Sequence, residues 1–201
     1  MTENYQINIS EKNKSFLWLP PKTGTVHATF IFNHFEFYTF HSNSENELRK
    51  GYLQHNHARD LFPNHENFKL ISTARNPYTK IISIYKYNLQ KKEEFHYEGF
   101  RVFFLQKTQQ PHFWTHFDLS YKRTPDFFIR MENLYLDYVQ IPFIRDSKIN
   151  KCGVLEDLCK IEMNSTIELP QTKDFFTSDM IDYVYRMTKD YMNLLKYEYP
   201  Y

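Results

Sequence analysis

The feature that most constrains the fold is a short apolar run, residues 16–19 (Phe-Leu-Trp-Leu), closed by Pro20 and Pro21. A few apolar residues that stop abruptly at a turn are typical of a buried strand. Gly24 then opens a predicted helix from Thr25 to about Phe40, a stretch without Gly or Pro. Together they form one strand, turn and helix unit.

The same order recurs further along the chain. Residues 68–73 predict a second strand, followed by Asn76 as N-cap and Pro77 at the first position of a helix that reaches about Lys91. Residues 127–131 predict a third strand, with a short helix after it. Strands that alternate with helices predict an α/β fold, with a P-loop-like central parallel sheet and helices on both faces.

Two helices are predicted in the last third of the chain. The first runs from Gly153 to Met163 with Val154, Leu155, Leu158 and Ile161 facing inward, and Cys152 and Cys159 as reduced packing residues near its ends. The second runs from about Thr177 to Lys196, with an apolar stripe at three- and four-residue steps. The aromatic segment 95–125 predicts no definite element and is expected to bind an acceptor.

Size and charge narrow the class of protein. A chain of 201 residues fits a single domain, residues 1–201, and a hydrophobic fraction of 41% excludes a disordered chain. Lys and Arg total 25 against 24 for Asp and Glu, so no global field favours nucleic acid or an acidic membrane. No window approaches the roughly 20 apolar residues of a membrane span. We therefore expect a cytoplasmic protein that holds any anion locally.

The sharpest motif is the pentapeptide 21–25, Pro-Lys-Thr-Gly-Thr, between the first strand and its helix. Such a turn aims backbone N–H groups at an anion, while Lys22 and the hydroxyls of Thr23 and Thr25 add charge-assisted bonds. The longer Walker loop is absent from the sequence, which disfavours an ordinary ATP or GTP site. In the plainer interpretation, Gly24 only permits a tight turn and Lys22 is a solvated charge.

A second motif follows the second strand. Arg75 precedes Asn76 and Pro77, and Ser83 lies eight residues after the arginine. On a helix that starts at Pro77, Ser83 shares a face with position 76 and can look back toward Arg75. One phosphate could contact both side chains. Alternatively, Arg75 pairs with a surface carboxylate and Ser83 bonds a backbone carbonyl.

In this order, each after its own strand, the two motifs resemble those of the sulfotransferases that use 3'-phosphoadenosine 5'-phosphosulfate (PAPS). The resemblance is nearest to the carbohydrate branch, and residues 68–85, 128–134, 164–165 and the final helix add to it. It implies that Lys22, Thr23, Gly24, Thr25 and Val26 hold the 5'-phosphosulfate, and that Arg75 and Ser83 hold the 3'-phosphate. Val26 replaces the family's usual Thr or Ser, and Lys173 is the candidate for a late basic loop. No metal is implied.

The reaction needs a base for the acceptor hydroxyl and a cation for the leaving phosphate of the product, 3'-phosphoadenosine 5'-phosphate (PAP). Lys22 suits the second task. For the base, the segment 54–59 resembles a family segment in which a histidine precedes a short helix, which favours His55 over His57. His112 and His116 are the fallback. Their spacing, like that of the histidines at 27, 34 and 41, only weakly suggests a metal site.

Other classes of function compete with this hypothesis. A kinase-like phosphoryl transferase would need Mg²⁺ ligands, for which the sequence offers no acidic strand end. A non-catalytic protein that binds PAP or another nucleotide would retain the turn without turnover, and Val26 keeps this alternative open. The acceptor is expected to be a hydroxyl of a small molecule or a glycan, and the sequence leaves its identity and the oligomeric state undetermined.

Overall fold

The computed structural model describes residues 6–20, 22–41, 67–89, 97–114, 117, 124–161 and 175–198. The predicted site residues His55, His57 and Lys173, and the fallback His116, lie outside these ranges. The chain divides into two compact units. The first unit comprises the described residues up to Ala74 and residues 124–161, and the second comprises those from Arg75 to 117 with residues 175–198. A single domain across residues 1–201 stays a prediction.

A mixed sheet of five strands lies in the first unit. In chain order the strands are β1 (Gln6–Ser10), β2 (Ser15–Trp18), β3 (Tyr38–His41), β4 (Lys69–Ala74) and β5 (Phe127–Arg130). Their spatial order is β3-β1-β2-β4-β5. Neighbours β2, β4 and β5 are parallel, as predicted, whereas β1 is antiparallel to both β2 and β3. The α/β class and the parallel pairing of the three predicted strands are confirmed, and the two further strands, β1 and β3, make the sheet mixed rather than parallel throughout.

The antiparallel strand β1 has a simple cause. Only the turn at residues 11–14 separates it from β2, and so short a connection can join antiparallel strands only. Parallel neighbours need a longer crossover, such as the helix between β2 and β4.

Helices follow the strands in the predicted order. They are α1 (Thr25–Phe32), α2 (Pro77–Leu89), α3 (Tyr97–Thr108), α4 (Pro111–Trp114), α5 (Leu134–Tyr138), α6 (Pro142–Arg145), α7 (Lys148–Lys151), α8 (Val154–Cys159) and α9 (Ser178–Leu195). Helices α3 and α4 fall in the segment for which the sequence predicted no element. No described helix has the length and apolar character required to cross a membrane.

The first helix is shorter than predicted. After α1 and a 3-10 turn at Asn33–Phe35, Glu36 adopts the left-handed conformation with φ 57°. The chain then turns and forms β3, which pairs with β1. The prediction of helix to about Phe40 is wrong because these aromatic residues suit a strand equally well, and pairing with β1 decides between the two.

One face of the sheet carries the main core of the first unit. Leu17, Ile71 and Ile129 are buried there against residues of α1, α5, α6 and α8. The alternation of side chains along a strand places Phe16 and Leu70 on the opposite face, where they cluster with Ile9 and Phe68. Helices on that second face stay a prediction.

The helix predicted from Gly153 to Met163 is confirmed over Val154–Cys159 and ends earlier than predicted. Gly153, with φ 77°, separates α7 from α8, and Cys152 is exposed at that break. Leu155 is fully buried as expected, but Val154 and Ile161 are 46% and 45% exposed. Both cysteines are free thiols, and the expected packing role is wrong for Cys152.

Aromatic rings fill the core of the second unit. Phe100 of α3 contacts Tyr85 of α2 and the rings of Phe175 and Phe176, with centroids 5.1–5.2 Å apart. The predicted stripe of α9 faces inward, since Val184, Thr188, Tyr191 and Leu195 are all buried. This helix begins as predicted because the hydroxyl of Thr177 accepts a bond from the backbone N–H of Met180.

Candidate functional site

The turn between β2 and α1 has an unusual backbone. Lys22 and Gly24 both adopt left-handed conformations, with φ 63° and 82°. A non-glycine residue pays a steric cost there, and such conformations persist where the surrounding contacts impose them. Left-handed residues in a turn direct successive N–H groups toward one side, which is the geometry of an anion-binding concavity.

Gly24 also lies close to a neighbouring side chain. A Cβ atom at this position would collide with the sulfur of Met131, which directly follows β5. The turn after β2 therefore lies against the residue at the end of β5. No side chain larger than hydrogen fits at position 24 without displacing Met131.

The hydroxyls of Thr23 and Thr25 are engaged within the protein. Both donate to the carbonyl of Pro20, at 2.6 and 3.2 Å, and Thr23 also bonds the hydroxyl of Thr73 on β4 at 2.6 Å. Because a hydroxyl has one proton to donate, neither side chain in this arrangement can also donate to a phosphate oxygen. The two threonines fix the shape of the turn and connect it to the end of β4.

The N-terminus of α1 carries no side-chain cap. Gly24 is the N-cap residue and provides no side-chain bond to the first N–H groups, and no acidic residue lies in the first turn. The first N–H groups of a helix lack partners within the helix and carry a partial positive charge. Val26 belongs to this turn with its side chain 54% exposed, so it can contribute a backbone N–H but no hydroxyl.

The end of β5 is held by a buried carboxylate. Asp137 of α5 accepts hydrogen bonds from the guanidinium of Arg130 at 2.6 and 2.8 Å, from its backbone N–H at 2.8 Å, and from Asn133 at 3.0 Å. Arg130 is thereby committed to the fold. Glu132, two residues further along the chain, is exposed.

His27 belongs to the core of the first unit. It is 4% exposed, its Nε2 lies 3.2 Å from the carbonyl oxygen of Leu158, and its Nδ1 lies 3.5 Å from the hydroxyl of Tyr138. Burial lowers the pKa of His27 below its ordinary value. The histidine therefore has a packing role, whereas the neighbouring His34 is exposed.

In the second unit, helix α2 begins as the sequence predicts. The side-chain oxygen of Asn76 accepts a hydrogen bond from the backbone N–H of Tyr78 at 3.0 Å, and Pro77 occupies the first helical position. Ser83 lies on this helix and is half-buried.

Arg75 is held by residues that the sequence did not indicate. Its Nε donates to the hydroxyl of Thr79 at 3.2 Å, and this hydroxyl donates to the carbonyl of Asn76 at 3.0 Å. The hydroxyl of Tyr191 accepts from the backbone N–H of Arg75 at 3.2 Å and donates to its carbonyl at 3.1 Å. Both the main chain and the side chain of Arg75 are therefore fixed.

Lys80 of α2 is a second basic residue near the start of this helix. It is 1% exposed, and its Nζ lies 4.6 Å from the centroid of the Phe117 ring. Burial first, and the positive charge of Arg75 second, lower the pKa of Lys80 to about 7. A strongly perturbed pKa beside a candidate binding residue is a feature of functional sites. The helical position of Lys80 was visible in the sequence, but its burial was not.

Each unit thus contains part of the predicted site. Lys22, Thr23, Gly24, Thr25 and Val26 form the turn in the first unit, and Arg75 and Ser83 belong to the second. Comparison of the chain with protein-family models, curated proteins and solved structures gave no match.

Proposed function

We propose that the protein is a sulfotransferase that moves a sulfuryl group from PAPS to a hydroxyl of a small-molecule or glycan acceptor. The observation that carries this proposal is the turn after β2, where left-handed Lys22 and Gly24 lead into a helix without a side-chain cap. Such a turn provides backbone donors and one ammonium for the 5'-phosphosulfate. A P-loop-like sheet is part of the same proposal.

The second support comes from the end of β4. Arg75 follows this strand directly, and Thr79 and Tyr191 fix its side chain and main chain. A preorganised guanidinium is suited to a phosphate because it loses little further freedom on binding. We assign the 3'-phosphate to Arg75 and Ser83, with Lys173 as a further candidate.

In the proposed reaction the acceptor oxygen attacks sulfur as the bond from sulfur to the bridging phosphate oxygen breaks. The leaving phosphate takes up the bonding electrons, and the ammonium of Lys22 neutralises the developing charge. The acceptor proton passes to a histidine, His55 or His57. The products are a sulfate ester and PAP.

Calorimetric titration without metal tests the donor. We expect PAP to bind well and 5'-AMP and ATP to bind far more weakly, because only PAP carries a 3'-phosphate. Charged hydrogen bonds contribute about 1.5–3 kcal/mol each, so Arg75→Ala should weaken PAP binding by about ten- to a hundredfold, and Ser83→Ala by less. Arg101→Ala, at an exposed position of α3, is the matched control and should bind as the parent does.

The alternatives give different results in the same assays. Equal affinity for ATP and PAP, or an absolute need for Mg²⁺, would contradict the proposal and favour a kinase-like transferase. PAP binding without transfer of labelled sulfate to any of a panel of glycans and alcohols would favour a non-catalytic nucleotide-binding protein.

A further inference from the structure

The hydroxyl of Tyr191 in α9 bonds the backbone of Arg75 as a neighbouring strand would. It accepts a hydrogen bond from the backbone N–H of Arg75 at 3.2 Å and donates one to the backbone carbonyl of the same residue at 3.1 Å. The pairing of β4 with β5 ends one residue earlier, at Ala74. Both backbone groups can reach one oxygen only if they point to the same side of the chain, as they do in a strand.

These two bonds fix the direction in which the side chain of Arg75 leaves the backbone. The N–H belongs to the peptide group before the Cα atom, and the carbonyl belongs to the peptide group after it. Because each peptide group is planar, holding both of them restricts the φ and ψ angles between them. A hydroxyl 116 residues away in the chain therefore determines where this arginine points.

A second hydroxyl holds the side chain of Arg75 near its other end. The Nε of Arg75 donates to the hydroxyl of Thr79 at 3.2 Å, and this hydroxyl donates to the carbonyl of Asn76 at 3.0 Å, which defines its own orientation. Since a guanidinium is planar and rigid, a bond at Nε also orients the two terminal nitrogens. Tyr191 and Thr79 thus fix the two ends of Arg75.

Tyr191 is itself held by its neighbours. It is 4% exposed, its ring meets the ring of Phe117 edge-on at 5.6 Å, and it stacks against Tyr197 with centroids 6.2 Å apart. A buried ring packed in this way can impose a conformation on the less buried Arg75. The one proton of the Tyr191 hydroxyl is donated to the carbonyl of Arg75, so in this arrangement Tyr191 acts through Arg75 and does not donate to an anion.

We propose that Tyr191 and Thr79 are positioning residues that make Arg75 selective for a phosphate at one fixed place, the 3'-phosphate of PAP. The inference rests on the proposed function, which assigns this phosphate to Arg75, and adds two residues that act on the phosphate only through the arginine. With both hydroxyls in place, the guanidinium is already oriented when the ligand arrives. Without them it samples several orientations, and affinity falls with the fraction of molecules that have the correct one.

Variants of nearly unchanged shape test the inference, because Tyr191→Phe and Thr79→Val each remove a hydroxyl and keep the packing. Calorimetric titration with PAP should show a loss of affinity of about three- to tenfold in each, less than in Arg75→Ala. Affinity for 5'-AMP, which lacks the 3'-phosphate, should not change, so the preference for PAP over 5'-AMP should fall by the same factor. Tyr183→Phe is the matched control: it removes from α9 a hydroxyl that bonds the carbonyl of Thr108 at 3.3 Å, and it should keep the preference of the parent.

A double-mutant cycle separates positioning from a general loss of stability. If the two hydroxyls act through Arg75, then adding Tyr191→Phe or Thr79→Val to Arg75→Ala should cause no further loss of PAP affinity. A merely structural effect would weaken PAP and 5'-AMP binding alike, and it would add to the loss caused by Arg75→Ala. That result would overturn the inference.

The outcomes also separate this inference from the proposed function. An unchanged preference for PAP over 5'-AMP in folded Tyr191→Phe and Thr79→Val would overturn the positioning role and leave the proposed function intact. If Tyr191→Phe does not fold, the result for Thr79→Val alone decides. Absence of PAP binding by the parent protein would overturn the proposed function and this inference with it.

Discussion

Replacing Lys22 by glycine removes the ammonium and relieves the strain of a left-handed backbone conformation, and these two changes have different effects on stability and on turnover. With φ at 63°, Lys22 carries the steric cost of a left-handed L-residue, about 1–2 kcal/mol. Glycine removes this cost, but its greater conformational entropy stabilises the unfolded chain by about 0.4–1 kcal/mol. We therefore expect Lys22→Gly to raise the free energy of unfolding by about 0–1.6 kcal/mol, and Lys22→Ala, which keeps a Cβ, to leave it nearly unchanged.

Turnover should fall in both variants, although their stability stays the same or rises. Both variants lose the ammonium that is proposed to meet the leaving phosphate, so turnover should fall by about 10²–10³. Because backbone donors remain, affinity for PAP should fall by less than turnover does. Urea unfolding gives the stability, and transfer of labelled sulfate from PAPS to the best acceptor of a glycan panel gives the turnover.

Lys14 provides the matched control. It lies in the turn between β1 and β2 with φ 46°, and it is exposed. Lys14→Gly should give a similar change in stability and no change in turnover. The reasoning is refuted if Lys22→Gly folds and keeps the turnover of Lys14→Gly. An equal loss in binding and turnover would instead identify Lys22 as a ligand of the ground-state phosphate.

Two further predictions concern the turn and the base. Gly24→Ala should lower the free energy of unfolding in urea by up to about 1 kcal/mol more than Gly153→Ala does, because both glycines are left-handed but only at Gly24 must the flexible side chain of Met131 move; equal losses would show that the contact with Met131 is unimportant. His55→Ala should lower turnover by about 10²–10⁴, leave PAP affinity nearly unchanged and remove the acidic limb of the pH–rate profile. If only His57→Ala has this effect, His57 is the base, and if neither does, the base lies elsewhere, with His112 and His116 as the next candidates.

The sequence by itself determined the elements that depend on local signals. Helix α2 begins where Asn76 and Pro77 place it, because an N-cap and a first-turn proline act within a few residues. Strand β2 ends before Pro20, and the buried stripe of α9 follows from helical periodicity. The turn that contains Lys22 and Gly24 was recognisable because it is also specified by residues that are adjacent in the sequence.

Only the tertiary structure decided what depends on contacts between distant residues. Strand β3 exists because it pairs with β1, and this pairing overrides the helix predicted for those aromatic residues. The backbone of Arg75 is held by two hydrogen bonds to the hydroxyl of Tyr191, which is 116 residues away in the chain. The burial of Lys80 depends on how α2 meets Phe117, and a lysine in a helical sequence pattern gives no sign of it. The pKa of Lys80 follows from that burial, because the cost of an ammonium is set by the surroundings that the fold assembles.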